Sequence, residues 1–296
     1  MPQRHDVTVV GQIARDLVLR VDRLPDVGTS GSVRERRETL GGKGANQAVG
    51  LAQLGADVAL VGVVGDDPAG DQMLARAEAD SIDIRPVIRR TGAPTGLIVD
   101  IVDADARWRY LEDLPEPMLL TAADIEANAA FLATARAVSV QLQQPPAAAL
   151  AAARIARSAG SLVVLDGAPA DHVDDLLACA DVLRADAREA GLLVGRPVPD
   201  ADAALAAGRA LLARGPRLVA LAAGEQGNVF VWPAGSAVIP LSDVPVVDTT
   251  GAGDAFTAAL IVALLRGAEP GQAARAAAAA AAATVGHAGG RPSLSP

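Results

Sequence analysis

The chain has 296 residues, of which 51% are hydrophobic but only 2% aromatic. This is enough for a sizeable core of Ala, Val, Leu and Ile, in one large domain or two. A net charge of −9 argues against a general nucleic-acid or anionic-membrane surface, although local backbone donors can still hold an anion.

The N-terminal stretch Arg4-His5-Asp6-Val7-Thr8-Val9-Val10-Gly11 reads as a buried strand ending in a turn. It lacks the charged n-region and long apolar h-region of a secretory signal. Short Val/Leu/Ile runs predict strands at 7–10, 58–64, 137–142, 162–166, 182–184, 218–221 and 228–231. Stretches of helical period predict helices at 45–54, 69–79, 147–158, 173–178, 202–212, 252–265 and 272–285. Apolar strands alternating with helices imply a mostly parallel sheet covered on both faces. The alanine run 276–283 reads as a helix packed closely on that sheet, and it is too short to span a membrane. The expected location is cytoplasmic.

Two segments break the βα rhythm. Residues 16–21 and 32–40 flank Leu24-Pro25-Asp26-Val27-Gly28, and 95–103 and 107–111 flank Asp103-Ala104-Asp105-Ala106. Both have the pattern of hairpins. They predict a small β-sheet lid, about 15–40 and 95–112, over a single domain of residues 1–296; edge hairpins without a lid role are the alternative. Trp108 and Tyr110 share one face of a lid strand and Arg107 and Arg109 the other, so the aromatic pair either packs or stacks on a ligand. Asp66 and Asp67 are expected to cap the following helix, and the C-terminus to fray. Cys179, the one cysteine, reads as an inert buried thiol, and His5, His172 and His287 are too scattered for a metal site.

The segment Val247-Asp248-Thr249-Thr250-Gly251-Ala252-Gly253-Asp254-Ala255-Phe256 carries the strongest chemical signal. The strand-like stretch 244–247 meets a long apolar helix through a glycine turn. The first helical amides have no internal partner and carry positive partial charge, which makes an anion hole. Asp254 is then either a charge complementing the helix dipole or a general base beside the bound anion. Gly41-Gly42-Lys43-Gly44-Ala45-Asn46-Gln47 is a second glycine-rich helix start. Lys43 is the only lysine, in a chain that otherwise uses arginine. It is a chance survivor or a narrow point charge kept beside a small polar ligand. Asp16 follows the first strand, and Asp186 and Glu189 follow another; all four segments are expected at the carboxyl ends of sheet strands, where ligands collect. Neither a Walker A sequence nor a GxGxxG fingerprint is present.

Taken together, Gly11 with Asp16, GGKGANQ at 41–47, VGVVGDDPAG at 61–70, DTTGAGDAF at 248–256 and the closing Gly290-Arg291-Pro292-Ser293 resemble the ribokinase branch of the PfkB carbohydrate kinases over essentially the whole chain. The resemblance implies a ribokinase-like three-layer α/β/α fold with a β-sheet lid, often also a homodimer interface. It implies ATP, Mg²⁺ and a K⁺ site as cofactors. Asp254 would be the general base, and Gly251, Ala252 and Gly253 the amides stabilising the transferring phosphoryl group. Asp16, Gly42, Lys43 and Asn46 would hold sugar hydroxyls. Glu189 would organise Mg²⁺ and its waters, Asp186, Gly224 and Gly227 would lie at the nucleotide, and Asp248, Thr250 and Ser293 at a monovalent cation.

Three positions depart from the family pattern. Ala14 stands where ribokinases have Asn, Gln143 where they have a sugar-binding Glu, and Asp186 where they have Asn. Loss of one polar partner costs about 1–3 kcal/mol. The expected activity is therefore an ATP-dependent sugar kinase acting on a primary hydroxyl of a pentose or related sugar, with preference moved away from ribose. A nucleoside kinase of the adenosine or pseudouridine type is the alternative, and a non-catalytic sugar or nucleotide sensor a third.

Overall fold

The computed structural model describes residues 4–105, 107–286 and 290–294. His287 and the C-terminal Ser295-Pro296 lie outside them. The strands are β1 (Val7–Val10), β2 (Ala14–Val21), β3 (Val33–Gly41), β4 (Val58–Val61), β5 (Val63–Gly65), β6 (Ile82–Asp83), β7 (Ile88–Arg90), β8 (Leu97–Val102), β9 (Trp108–Asp113), β10 (Ala137–Gln141), β11 (Leu162–Asp166), β12 (Val182–Ala185), β13 (Leu218–Ala222), β14 (Asn228–Trp232) and β15 (Gly235–Ile239). The helices are α1 (Lys43–Gln53), α2 (Pro68–Ala79), α3 (Ala122–Ala127), α4 (Ala129–Thr134), α5 (Pro146–Ala159), α6 (Val173–Cys179), α7 (Ala187–Val194), α8 (Ala201–Leu212), α9 (Ala252–Leu265) and α10 (Pro270–Thr284).

Nine strands form the central sheet in the order β15-β14-β13-β12-β11-β10-β1-β4-β6. It is parallel except where β14 pairs antiparallel with β13 and β15. Central strands such as Val7–Val10 and Val58–Val61 are buried along their whole length, because helices cover both faces. One face packs against α3 to α8 through Leu165, Leu183, Val219 and Val231. The other carries α1, α2, α9 and α10 on Val9, Leu60, Val164 and Phe230. Alternate residues of one strand thus serve opposite layers, giving three layers. Among the described residues, no helix is long and apolar enough to cross a membrane.

The two hairpins form a separate four-stranded sheet, β3-β2-β8-β9. β2 pairs antiparallel with β3 and parallel with β8, and β8 antiparallel with β9. Three local expectations need correction. Asp16 lies inside β2, not in a turn after β1. GGKGAN follows the small-sheet strand β3, not a central strand. Residues 244–247 form no strand: they run in an irregular loop, where Val244 and Val246 are exposed and have no sheet neighbour. Asp67 does cap α2, accepting from Gly70 N at 2.7 Å, whereas Asp66 pairs with Arg89. Cys179 is only partly buried, though burial still pushes its thiol up.

Candidate active site

Glycines bring the separated segments together. Gly42 has φ +84, and a Cβ there would lie 2.8 Å from Gln12 O; one on Gly44 would lie 2.6 Å from the Gly11 carbonyl carbon. The start of α1 therefore rests directly on the turn after β1. At the other helix, Gly251 has φ +73, and a Cβ would stand 1.8 Å from Gly290 O. No side chain caps α9, and its first amide, Ala252 N, makes only a long backbone bond of 3.4 Å to Thr249 O. A Cβ on Gly253 would lie 2.6 Å from Arg184 Nη2, which puts a guanidinium beside those amides.

Asp254 sits in the first turn of α9, 6% exposed. Its carboxylate makes no cap. It turns to α1, where Asn46 Nδ2 and Gln47 Nε2 donate to it at 3.5 and 3.3 Å. The two glycine turns thus meet. Burial first, and then the Asp166 charge, push the Asp254 carboxyl up to about 7, against the Lys43 and Arg184 charges and the Gln47 hydrogen bond. A carboxyl with that affinity for a proton suits a general base near neutral pH. Behind it, Gln47 Nε2 also donates to Asp166 Oδ2 at 2.6 Å, while Gln47 Oε1 accepts from Ser139 at 2.8 Å. Asp166 and Arg184 face each other in register at the ends of β11 and β12, with Nη1 to Oδ1 at 3.0 Å.

Asp16, Gly42, Lys43 and Asn46 come together next to Asp254. Asp16 is buried under Gly41, and its carboxyl is pushed up to about 7 by burial and by the charges of Asp100 and Asp254, against a backbone hydrogen bond from Gly42. Asp16 Oδ1 and Asn46 Oδ1 are buried with no hydrogen-bond partner. In a folded protein such orphans call for a partner, which water, an ion or a ligand can supply. Lys43 is about half exposed, with its Nζ 3.9 Å from Glu189 Oε1. Gln143 donates to that same oxygen at 3.1 Å. Asp186 and Glu189 form a reciprocal cap on α7: Asp186 Oδ1 accepts from Glu189 N at 2.7 Å, and Glu189 Oε2 from Asp186 N at 2.8 Å. Their first evident role is to start that helix. Asp248 accepts from Thr250 N and Oγ1 at 2.9 and 2.6 Å, and Tyr110 of β9 hydrogen-bonds Thr250 Oγ1, tying the small sheet to the turn before α9. Ser293 is exposed, between residues whose backbone groups bond to Gln53.

Beyond Gly253 and Arg184 opens a cleft of about 240 Å³, lined further by Leu241, Val244, Val246, Phe256, Ala281 and Val285. The lining is mostly apolar with a few polar groups, among them Arg184, Asn228 and Thr249, the make-up usual for a small-molecule cleft. Sequence reasoning marked Gly224 and Gly227 for this ligand. Gly224 opens the turn after β13, and Gly227 is required because a Cβ would lie 2.1 Å from Ile239 O. It missed the apolar loop 241–246 and the alanine face of α10. It also missed Gln47, Asp166, Arg184 and Asp100. The sequence offered a partial signal only for Asp166 and Arg184, polar residues at the ends of apolar runs. Among the described residues no group of three or more His, Cys, Asp or Glu is placed to cage a metal. A Mg²⁺ ion carried on phosphates needs only one or two carboxylates and water, and Asp186 and Glu189 at the end of β12 fit that demand.

The sequence profile of the pfkB family of carbohydrate kinases matches residues 4–296. The chain is 32% identical to a bifunctional ribokinase/ribose-5-phosphate isomerase A of Fructilactobacillus sanfranciscensis, covering 86% of this chain but about half (47%) of that longer protein. It is 35% identical to an ATP-dependent ribose-1-phosphate kinase of Halopiger xanaduensis, over 96% of this chain and 93% of that one. The structure of Arabidopsis thaliana ribokinase complexed with ribose and ATP superposes with TM-score 0.83 at 27% identity, covering 99% of this chain and 96% of the other. The adenosine kinase of Sinorhizobium meliloti superposes with TM-score 0.82 at 25% identity, covering 99% and 97%.

Proposed function

The chain belongs to the pfkB family of carbohydrate kinases and is a phosphotransferase with an alcohol acceptor, and from that premise we propose that it moves the γ-phosphoryl group of ATP to a primary hydroxyl of a pentose or related ribosyl compound. The observation that carries this reading is the meeting of the two glycine turns at Asp254, with Asn46 and Gln47 of one turn donating to the carboxylate of the other.

In this reading Asp16, Gly42, Lys43 and Asn46 orient the acceptor, and the unpartnered oxygens of Asp16 and Asn46 accept hydrogen bonds from its hydroxyls. The acceptor hydroxyl lies against Asp254, which removes its proton as the oxygen attacks phosphorus. The α9 amides and Arg184 stand where negative charge grows on the transferring group. Adenosine occupies the apolar cleft between the 241–246 loop and α10. Bound Mg²⁺, held through Asp186 and Glu189, would neutralise charge on the phosphate oxygens, and Asp248, Thr250 and Ser293 remain the proposed surroundings of K⁺. The small sheet acts as a lid, closed by Tyr110 on Thr250. Its outer face carries Leu17, Leu19, Val99, Ile101 and Leu111, an apolar row suited to a second copy of the chain; Leu111→Asp should turn a dimer into a monomer in size-exclusion chromatography with light scattering.

A nucleoside acceptor is the second reading, supported by Ala14, which offers no polar group to a free sugar, and by the likeness to an adenosine kinase. The direct test is ATP consumption by the wild type and Asp254→Asn across D-ribose, D-fructose, ribose 1-phosphate and nucleosides. The substitution should cut kcat by about 10²–10⁴-fold while ATP binding survives. Unreduced turnover would remove Asp254 from the base role.

A further inference from the structure

Asp100 lies in the middle of β8, inside the lid, and is 3% exposed. Neither of its carboxylate oxygens has a hydrogen-bond partner. In register it stands between Val18 of β2 and Tyr110 of β9, so it shares the inner lid face with Asp16 and Tyr110. Charge crowds this face: Asp100 raises Asp16, and Asp248 raises Asp100, after burial as the first cause in each case. No described cation faces Asp100. A buried carboxylate without partners is costly to the fold, and nothing in the packing requires it there.

The number of unsatisfied acceptors sharpens the point. Asp16 Oδ1, Asn46 Oδ1 and both oxygens of Asp100 await donors, and Asp254 awaits the reacting hydroxyl. A ribofuranose has only four hydroxyls. After Asp254, Asp16 and Asn46 each take one, a single hydroxyl is left for two oxygens of Asp100.

We propose that Asp100 is a specificity residue that accepts two adjacent hydrogen-bond donors carried by the acceptor substrate beyond the hydroxyls of a simple pentose, and that it rejects a phosphate at that position. This rests on the kinase reading above and narrows its substrate class. Two sources supply such a pair: the vicinal hydroxyls of a larger sugar, or the amino and ring N–H groups of a nucleobase. Both match the parallel oxygens of a carboxylate. A phosphoryl group set against Asp100 and Asp16 would meet like charge.

The test compares wild type with Asp100→Leu and Asp100→Asn on D-ribose, D-fructose, ribose 1-phosphate, adenosine, cytidine and guanosine. The wild type should prefer D-fructose if the donors are hydroxyls, or guanosine over adenosine and cytidine if they belong to a base. Asp100→Leu should reduce the preference for that acceptor over D-ribose, as a ratio of kcat/KM, at least tenfold, with the change in KM rather than kcat. At pH 8, where Asp100 is ionised, it should also raise the Tm of the ligand-free protein, because an unpaired buried charge is gone. An unchanged acceptor ranking, a wild-type preference for ribose 1-phosphate, or a lower ligand-free Tm in both variants would each overturn the proposal. Should no acceptor support ATP consumption, the kinase reading fails by itself, and acceptor-induced Tm shifts decide the role of Asp100. A shift in wild type that Asp100→Leu abolishes supports the role, and equal or absent shifts refute it.

Discussion

Replacing Asp166 by Asn tests how the proton affinity of Asp254 is set. One nitrogen, Gln47 Nε2, donates to both carboxylates, at 2.6 Å to Asp166 and 3.3 Å to Asp254. The two oxygens can therefore lie no more than about 6 Å apart, and two unit charges at that distance repel by about 3 kcal/mol at an effective dielectric near 20. This amounts to roughly 2 pKa units, and the Arg184 guanidinium paired with Asp166 offsets part of it. Asp166→Asn removes the repulsion and frees Arg184 to favour the ionised base further. The carboxyl of Asp254, pushed up to about 7, should fall by about 1–2 units. A general base must be ionised, so kcat/KM of the wild type should decline as pH drops below about 7, and in Asp166→Asn below about 5–6. The assay is coupled ATP consumption from pH 5 to 9 at saturating ATP. An acid limb that stays in place, or moves to higher pH, would refute the electrostatic account while leaving the fold untouched.

Three further outcomes follow from the geometry. Arg184→Met should lower kcat by about 10²–10³-fold with acceptor KM changed less than threefold, since the guanidinium stands at the Gly253 amide and acts on developing charge; Arg184→Lys should restore part of the loss, and equal loss in both would point to a purely structural ion pair. Gly251→Ala should destabilise the protein by about 2–4 kcal/mol and abolish turnover, because the new methyl would occupy the space of Gly290 O at a left-handed φ; urea unfolding checks it. The ligand-free Tm should fall as pH rises from 5 to 8. Asp16, Asp100 and Asp254 hold protons up to about 7 in the folded protein but only to the ordinary carboxylate range when unfolded, so the stability they contribute is complete at low pH and lost through about 7. Carboxylates held below the ordinary range, such as Asp22 beside Arg34 and Asp6 beside Arg136, act oppositely, but only at more acid pH. A Tm that climbs between pH 5 and 8 would contradict this assignment.

The parallel core strands were legible because burial on both faces leaves an unbroken apolar run, as at Val58–Val61 and Leu162–Asp166. The long helices were legible from their period. Short elements were not. α3 and α4 are six residues each and share Asn128 as the end of one and the start of the other, so neither shows two turns of pattern. α7 was hidden by its own cap: Asp186 and Glu189 read as ligands of a nucleotide and a metal, and their reciprocal hydrogen bonds show the same spacing serving a helix start. Residues 244–247 mimic a strand through three valines in Val-Pro-Val-Val, yet Val244 and Val246 line the cleft instead of meeting a neighbouring strand. A composition pattern records apolarity, not which partner satisfies it.

Asp100 shows the same limit from the other side. Within Leu97-Ile98-Val99-Asp100-Ile101-Val102 it is one acid in an apolar strand, and alternation alone assigns it to a face without saying what that face meets. Only the pairing of β8 with β2 places it on the side of Asp16, and only the tie from Tyr110 to Thr250 turns that side toward the turn before α9. The glycine turns were easier, because their constraint is local: a positive φ and a close backbone approach demand glycine whatever the distant partner. The backbone cradle of the site was therefore readable in the chain, whereas its charge balance was not. That balance is set by Asp166, Arg184 and Asp100, which stand in ordinary strands and acquire their roles only where the sheets place them. A carboxylate kept buried and unpaired on the inner lid face is difficult to reconcile with a structural role, since Leu or Asn would fit more stably. In the proposal above, a substrate bound against the small sheet supplies the donors that fill the gap.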